Sequence, residues 1–148
     1  MSDADRHAIS TCALAWQTLR MAHDRVAQRL GAELTRECAL AINEFDVLLY
    51  LRSHASGEVR IGALLEAVAL SQPALSRLVA RLEARGLLAR SEAADDGRAV
   101  IVGLTESGTA LIDRAIVIHA RVMHETLTGK FSDTEQAALL KTLSQIGQ

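Results

Sequence analysis

Gln72, Ser76, Arg77 and Arg81 are the residues of this chain whose chemistry and spacing belong together. Gln72 and Ser76 are four positions apart, as are Arg77 and Arg81, which is the separation of neighbours on one face of a helix. Such a face would present an amide, a hydroxyl and two guanidinium groups with only alanines (Ala74, Ala80, Ala84) between them. Small residues allow a helix to lie deep in a groove, and Gln, Ser and Arg supply the donors and acceptors that match base edges. Between Gln72 and Gly86 three arginines stand against one glutamate, whereas the whole chain carries a net charge of −2. A basic footprint is therefore local and the remainder acidic. Taken alone, Arg77 and Arg81 fit a solvated helix face equally well; their surroundings must decide.

Other chemistries find little support. Cys12 and Cys38 are far apart with no Cys/His cluster, so zinc spacing is absent. There is no Gly-rich phosphate loop and no Ser/His/Asp or Cys/His set that one pocket could hold, so the chain is not expected to be an enzyme or to need a cofactor or metal. Aromatic residues are only 3% of the 148, few for a protein that grips single strands by stacking. No signal-peptide pattern and no bilayer-length apolar run is visible, so a cytoplasmic protein with reduced thiols is expected.

The elements that would position the groove face follow from periodicity. Ile9, Cys12, Trp16, Leu19, His23, Val26 and Leu30 form one apolar seam on a helix from Arg6 to Leu30, which Gly31 is expected to end. Cys12 is read as core packing on that seam. A long terminal seam needs a partner, and a second copy of the chain is the natural one. Asn43 is expected to cap a helix carrying Phe45, Leu48, Leu49 and Leu51. A short helix over Ile61 to Val68 follows. Ser71 caps the next, with Pro73 in its first turn, Leu75, Leu78, Val79 and Leu82 on its buried face and Gly86 at its stop. Leu87–Glu92 and Ala99–Leu104 read as strands joined through Asp95-Asp96-Gly97 as a hairpin turn. Thr105 caps a long helix to about Leu127 with Leu111, Ile112, Ala115, Ile116, His119 and Met123 on its apolar face. Ser132 to Glu135 is a capping box opening a last helix with Ala137, Leu140, Leu143 and Ile146 inward.

Helix, short helix, tight turn, helix, hairpin is the order of a winged helix-turn-helix. The expected fold is mainly α with a small β-hairpin wing, divided into residues 1–42 (dimerisation helix and connection), 43–104 (DNA-binding lobe) and 105–148 (dimerisation helices). The expected DNA-facing set is Arg60, Ser71, Gln72, Pro73, Ala74, Ser76, Arg77 and Arg81.

Three segments sharpen this. Asn43-Glu44-Phe45-Asp46-Val47-Leu48-Leu49, the run from Leu70-Ser71-Gln72-Pro73 to Arg85-Gly86-Leu87-Leu88, and Asp96-Gly97-Arg98-Ala99 with Leu104-Thr105-Glu106-Ser107-Gly108 together resemble, in order, the motifs of the MarR family of bacterial transcriptional regulators. The resemblance implies a triangular homodimer whose terminal helices interlock and whose winged lobes straddle a pseudo-palindromic duplex. It adds Asp96 and Arg98 to the DNA-facing set: Arg98 would reach the minor groove, and Asp96 would hold the wing tip or orient that Arg. Many relatives bind small aromatic anions between dimerisation helices and DNA lobe. Trp16, Arg20, His23 and His119 could form such an effector pocket, although a satisfied core or interface role fits His23 and His119 as well. A peroxide-sensing branch pairs an N-terminal-helix Cys with tyrosines; with Tyr50 the lone tyrosine, that role is not expected of Cys12.

The function read from the sequence is thus a DNA-binding regulator, a repressor released by an effector. The alternatives are a constitutive DNA-binding protein without an effector and a winged-helix protein-interaction module.

Overall fold

The computed structural model describes residues 3–93 and 96–146, with side chains described over 10–92 and 100–146. The elements are α1 (Asp3–Cys38), α2 (Ile42–Arg52), β1 (Glu58–Arg60), α3 (Ile61–Ala67), α4 (Gln72–Ala84), β2 (Leu88–Ala93), β3 (Asp96–Leu104), α5 (Glu106–Thr126) and α6 (Asp133–Leu143), with a 3-10 turn at Thr128–Lys130. The fold is mainly helical with a small antiparallel sheet, as the sequence predicts. The sheet has a third strand, however. Its order is β1-β3-β2, with Val59 opposite Val102 and Leu88 opposite Leu104. Three residues are too few to show a period of two, so β1 left no alternation to read.

The chain forms two units, residues 33–119 and residues 1–32 with 120–148. In the first, Leu34, Leu40, Phe45, Leu48, Leu51 and Ile112 are buried together with Leu64, the inner face of α4 and Val102. Two helix boundaries differ from expectation here. Gly31 does not end α1, which continues to Cys38. An interior Gly costs about 1 kcal/mol, and the burial of Leu30, Leu34 and Cys38 on either side of it outweighs that. The helix ends instead at Ala39, held at a φ of 52°. Its N–H donates to the Thr35 carbonyl at 3.1 Å, and the Leu40 N–H to that of Leu34 at 3.3 Å. Asn43 likewise is not a cap. Ala41 is the extended residue before α2, and its N–H donates to the Glu44 carboxylate at 3.1 Å. On α5 the fully buried residues are Ile112, Ala115 and Val122, while Leu111, Ile116, His119 and Met123 are half-buried.

In the second unit Leu30 and Val122 are buried, and Arg29 pairs with Glu125 at 3.5 Å. The capping box at α6 is present: Glu135 donates its N–H to Ser132 Oγ, and its carboxylate accepts the Ser132 N–H at 2.9 Å. Those bonds to Ser132 hold the Glu135 carboxyl below its ordinary pKa. The face of α6 expected to point inward is exposed. Ala137, Leu143 and Ile146 are open, and Leu140 is 72% exposed. Much of the α1 seam is exposed too: Cys12 is not in a core, and Trp16 is 65% exposed. Periodicity reports that an apolar face exists, not what covers it.

Candidate nucleic-acid interface

Helix α4 is built as its sequence dictates. Ser71 is extended, with φ −72° and ψ 154°, and its Oγ accepts the Ala74 N–H at 3.4 Å. Pro73 sits in the first turn, where no intrahelical donor is missed. At the other end Gly86 takes a φ of +71°. Its N–H donates to the Glu83 carbonyl at 2.8 Å, and the Leu87 N–H to that of Leu82 at 3.0 Å. This is the paired-bond helix stop that favours glycine. Leu75, Leu78, Val79 and Leu82 are buried. The opposite face carries Gln72, Pro73, Ser76, Arg77 and Arg81, all exposed, with Ser71 before them and Ala74 half-buried. Arg60 is exposed at the end of β1, immediately before α3.

The charges on α4 are not all available to solvent. Arg81 Nε lies 3.8 Å from the Glu44 carboxylate, and Arg85 Nη1 lies 3.2 Å from it. Glu83 pairs with Arg90 on β2 at 3.2 Å, which ties the strand to the helix. Among the described residues Arg77 is the arginine of α4 that faces outward unpaired. Counting charges along α4 therefore overstates its basic face. Glu44, Arg85 and the Glu83–Arg90 pair are positioning residues that sequence reasoning missed. Glu44, at the third position of α2 where a helix-start acid belongs, was their one local signal.

The root of the wing is held at three points. The Thr105 N–H donates to the Leu87 carbonyl at 3.1 Å, and its hydroxyl donates to the Gly86 carbonyl at 2.7 Å. The Gly108 N–H donates back to Thr105 Oγ1 at 3.0 Å, so Thr105 caps α5 as expected. Pairing of β2 with β3 becomes irregular between Glu92 and Ala93. The turn at Ala94-Asp95 and the side chains of Asp96 and Arg98 lie outside the described residues.

The four expected effector residues divide between the units. Trp16, Arg20 and His23 belong to the unit of residues 1–32 with 120–148, on an exposed strip of α1. Arg20 and His23 both approach Asp24, at 3.7 and 3.2 Å. His119 belongs to the other unit, where its half-buried ring stacks on Phe45 with centroids 5.3 Å apart. That unit also has an open cleft of about 600 Å3, lined by Asn43, Asp46 and Tyr50 from α2, by Ser53 just after it, and by Val68 and Leu70. Burial raises the Asp46 carboxyl above its ordinary pKa, with the charge of His119 opposing.

Comparison with known proteins bears on the whole arrangement. A sequence model of the MarR family matches residues 40–99, from just before α2 into β3. The HTH-type transcriptional repressor NicR of Pseudomonas putida is 38% identical over 103 residues, 70% of this chain and 63% of NicR, so the match spans less than two thirds of that relative. The HTH-type transcriptional regulator YhbI of Bacillus subtilis is 32% identical over 110 residues, 71% of this chain and 70% of YhbI. Among solved structures, that of Bordetella bronchiseptica BpsR, described with regulation of its DNA binding by 6-hydroxynicotinic acid, superposes with a TM-score of 0.78 at 26% identity, covering 89% of this chain and 91% of BpsR. With the Ser71-capped helix, the three-stranded sheet and these matches together, the chain belongs to the MarR family of transcriptional regulators.

Proposed function

We propose that this chain is a homodimeric repressor that binds a pseudo-palindromic duplex through α4 and the β2–β3 wing and leaves it when a small aromatic anion binds. The observation that carries the reading is α4 itself. Its inner face is fully buried, and its outer face offers Gln72, Ser76 and Arg77 with nothing bulky between them. Repression is supported by NicR, a repressor by name, and control by an anion by BpsR and its 6-hydroxynicotinic acid. Trp16, Arg20 and His23, on neighbouring turns of α1, are the residues assigned to the anion: an aromatic wall with one cationic donor suits it. Dimerisation is supported by the exposed Leu14, Trp16 and Met21 on α1 and by Leu140, Leu143 and Ile146 at the C-terminal end. Large apolar side chains grouped in this way mark association surfaces.

The test separates base reading from backbone holding. Arg77→Ala should cost about 1–3 kcal/mol on the selected site and relax preference at one position per half-site. Arg98→Ala should weaken selected and scrambled duplexes more evenly and reduce the salt dependence, because a minor-groove cation reads shape and releases counterions. Affinity against salt for both duplexes measures each variant. If neither substitution changes affinity for the selected site, α4 does not face DNA, and the protein-interaction reading replaces this one.

A further inference from the structure

Glu44 is a buried carboxylate in the unit that carries α4. Its side chain is 10% exposed, whereas that of Arg81 is 56% exposed. Oε2 accepts the Ala41 N–H at 3.1 Å and Arg85 Nη1 at 3.2 Å, while Oε1 faces Arg81 Nε at 3.8 Å. Arg85 also donates through Nη2 to the Ala39 carbonyl at 2.9 Å. One carboxylate therefore ties the α1–α2 connection to the C-terminal half of α4. An enclosed charge needs its partners, since removing one leaves it uncompensated. Arg85 is the closer and less exposed of the two guanidinium groups. Arg81 is the outer one, on the same exposed face as Arg77, with the carboxylate on one side and solvent on the other.

We infer that Glu44 is a specificity-determining residue for the DNA binding proposed above. It holds Arg81 back from the DNA backbone and so lowers sequence-independent affinity, while the contacts of Gln72, Ser76 and Arg77 with base edges are left intact. The inference rests on α4 being the groove helix. Phosphate contacts carry affinity without sequence information, and base contacts carry specificity. A guanidinium already matched by an internal carboxylate adds little to the sequence-independent part. Removing that carboxylate charge turns Arg81 into one more phosphate contact.

The experiment measures affinity for a random-sequence duplex over a salt series, using the full chain, Glu44→Gln, Arg81→Ala and the double variant. Gln keeps the shape of the side chain and an acceptor for the Ala41 N–H. Glu44→Gln should bind the random duplex more tightly at low salt. One added phosphate contact steepens the salt slope by about 0.9, so the variant should lose about 3.5-fold more affinity than the parent between about 50 and 200 mM salt. In the Arg81→Ala background, Glu44→Gln should change neither quantity. Equal slopes for parent and Glu44→Gln, or an increment that survives Arg81→Ala, overturns the inference. If Glu44→Gln fails to fold, Arg98→Ala and Arg81→Ala decide in the otherwise unaltered chain: Arg98→Ala, which removes a cation assigned to the DNA backbone and minor groove, should flatten the slope clearly more, and equal decrements overturn the inference. A parent chain without affinity for any duplex fails at the first curve and removes the DNA reading itself; parent binding with an unresponsive Glu44 removes only the inference.

Discussion

Replacing Gly108 by Ala tests how the wing is joined to α5. Gly108 is buried in the first turn of that helix. A Cβ there would come within 2.0 Å of the Leu87 carbonyl oxygen and 3.0 Å of its carbon. Both are backbone atoms, and the oxygen already accepts the Thr105 N–H. In an open helix the change would gain about 1 kcal/mol, because Ala loses less backbone entropy than Gly. Here the overpacking costs about 1–3 kcal/mol, and loss of the Thr105 bond about 1 kcal/mol more. The net expectation is a destabilisation of about 1–3 kcal/mol, or several degrees of Tm for a chain of this length. Gly62 is the internal control. It lies in α3 with no atom within 4 Å of the position its Cβ would take, so Gly62→Ala should raise stability by about 0.5–1 kcal/mol. Thermal melts followed by circular dichroism, at one fixed protein concentration because association shifts Tm, give the order Gly62→Ala, parent, Gly108→Ala. A Gly108→Ala protein that melts at or above the parent refutes the argument from backbone contact.

Three further outcomes are expected. Sedimentation equilibrium at micromolar concentration should give twice the 15.9 kDa chain mass, and a chain lacking the residues before Asn43 should aggregate; a soluble, stable monomer from that truncation contradicts the dimer. Salicylate-like anions should quench the fluorescence of Trp16, the sole tryptophan, and weaken DNA binding together, with DNA weakening the anion by the same factor; quenching without loss of DNA affinity means that the anion is no effector. The raised Asp46 carboxyl has a sign that can be checked: the folded state binds its proton more tightly than the unfolded chain, so the associated stability is complete below the ordinary Asp value of about 4 and lost as pH rises through the raised value. Asp46→Asn should therefore be the more stable protein at pH 7, with the difference closing toward pH 4, and a parent that gains on the variant as pH rises is evidence against it.

The helix that carries the proposed DNA-facing residues was the easiest to read. Ser71, Pro73 and Gly86 each carry a local backbone reason to start or stop a helix, and the spacing of Leu75, Leu78, Val79 and Leu82 fixes which side is buried. Gly31 misled because an interior glycine is only mildly unfavourable and burial on both sides carries α1 past it. Ala39 in a left-handed conformation is a stop that no residue preference announces. Asn43 misled because the cap is chosen by where the chain turns, and Glu44 serves the start of α2 from inside it. The pairing of Arg81 and Arg85 with Glu44 joins positions distant in the chain, which charge counting along one helix cannot see. The open faces of α1 and α6 were legible as apolar but not as uncovered.

The sheet order also sets a sequence of events in folding. β2 and β3 are neighbours in the chain and can zip within microseconds, as hairpins do. β1 must find the far edge of β3 across all of α3, α4 and β2: Val59 waits for Val102. Closing that long loop costs entropy before any pairing rewards it. β1 leads directly into α3. The pairing that seats β1, and with it the start of α3, is therefore the last expected in this lobe, and in a nascent chain it waits until residues 101–103 have left the ribosome.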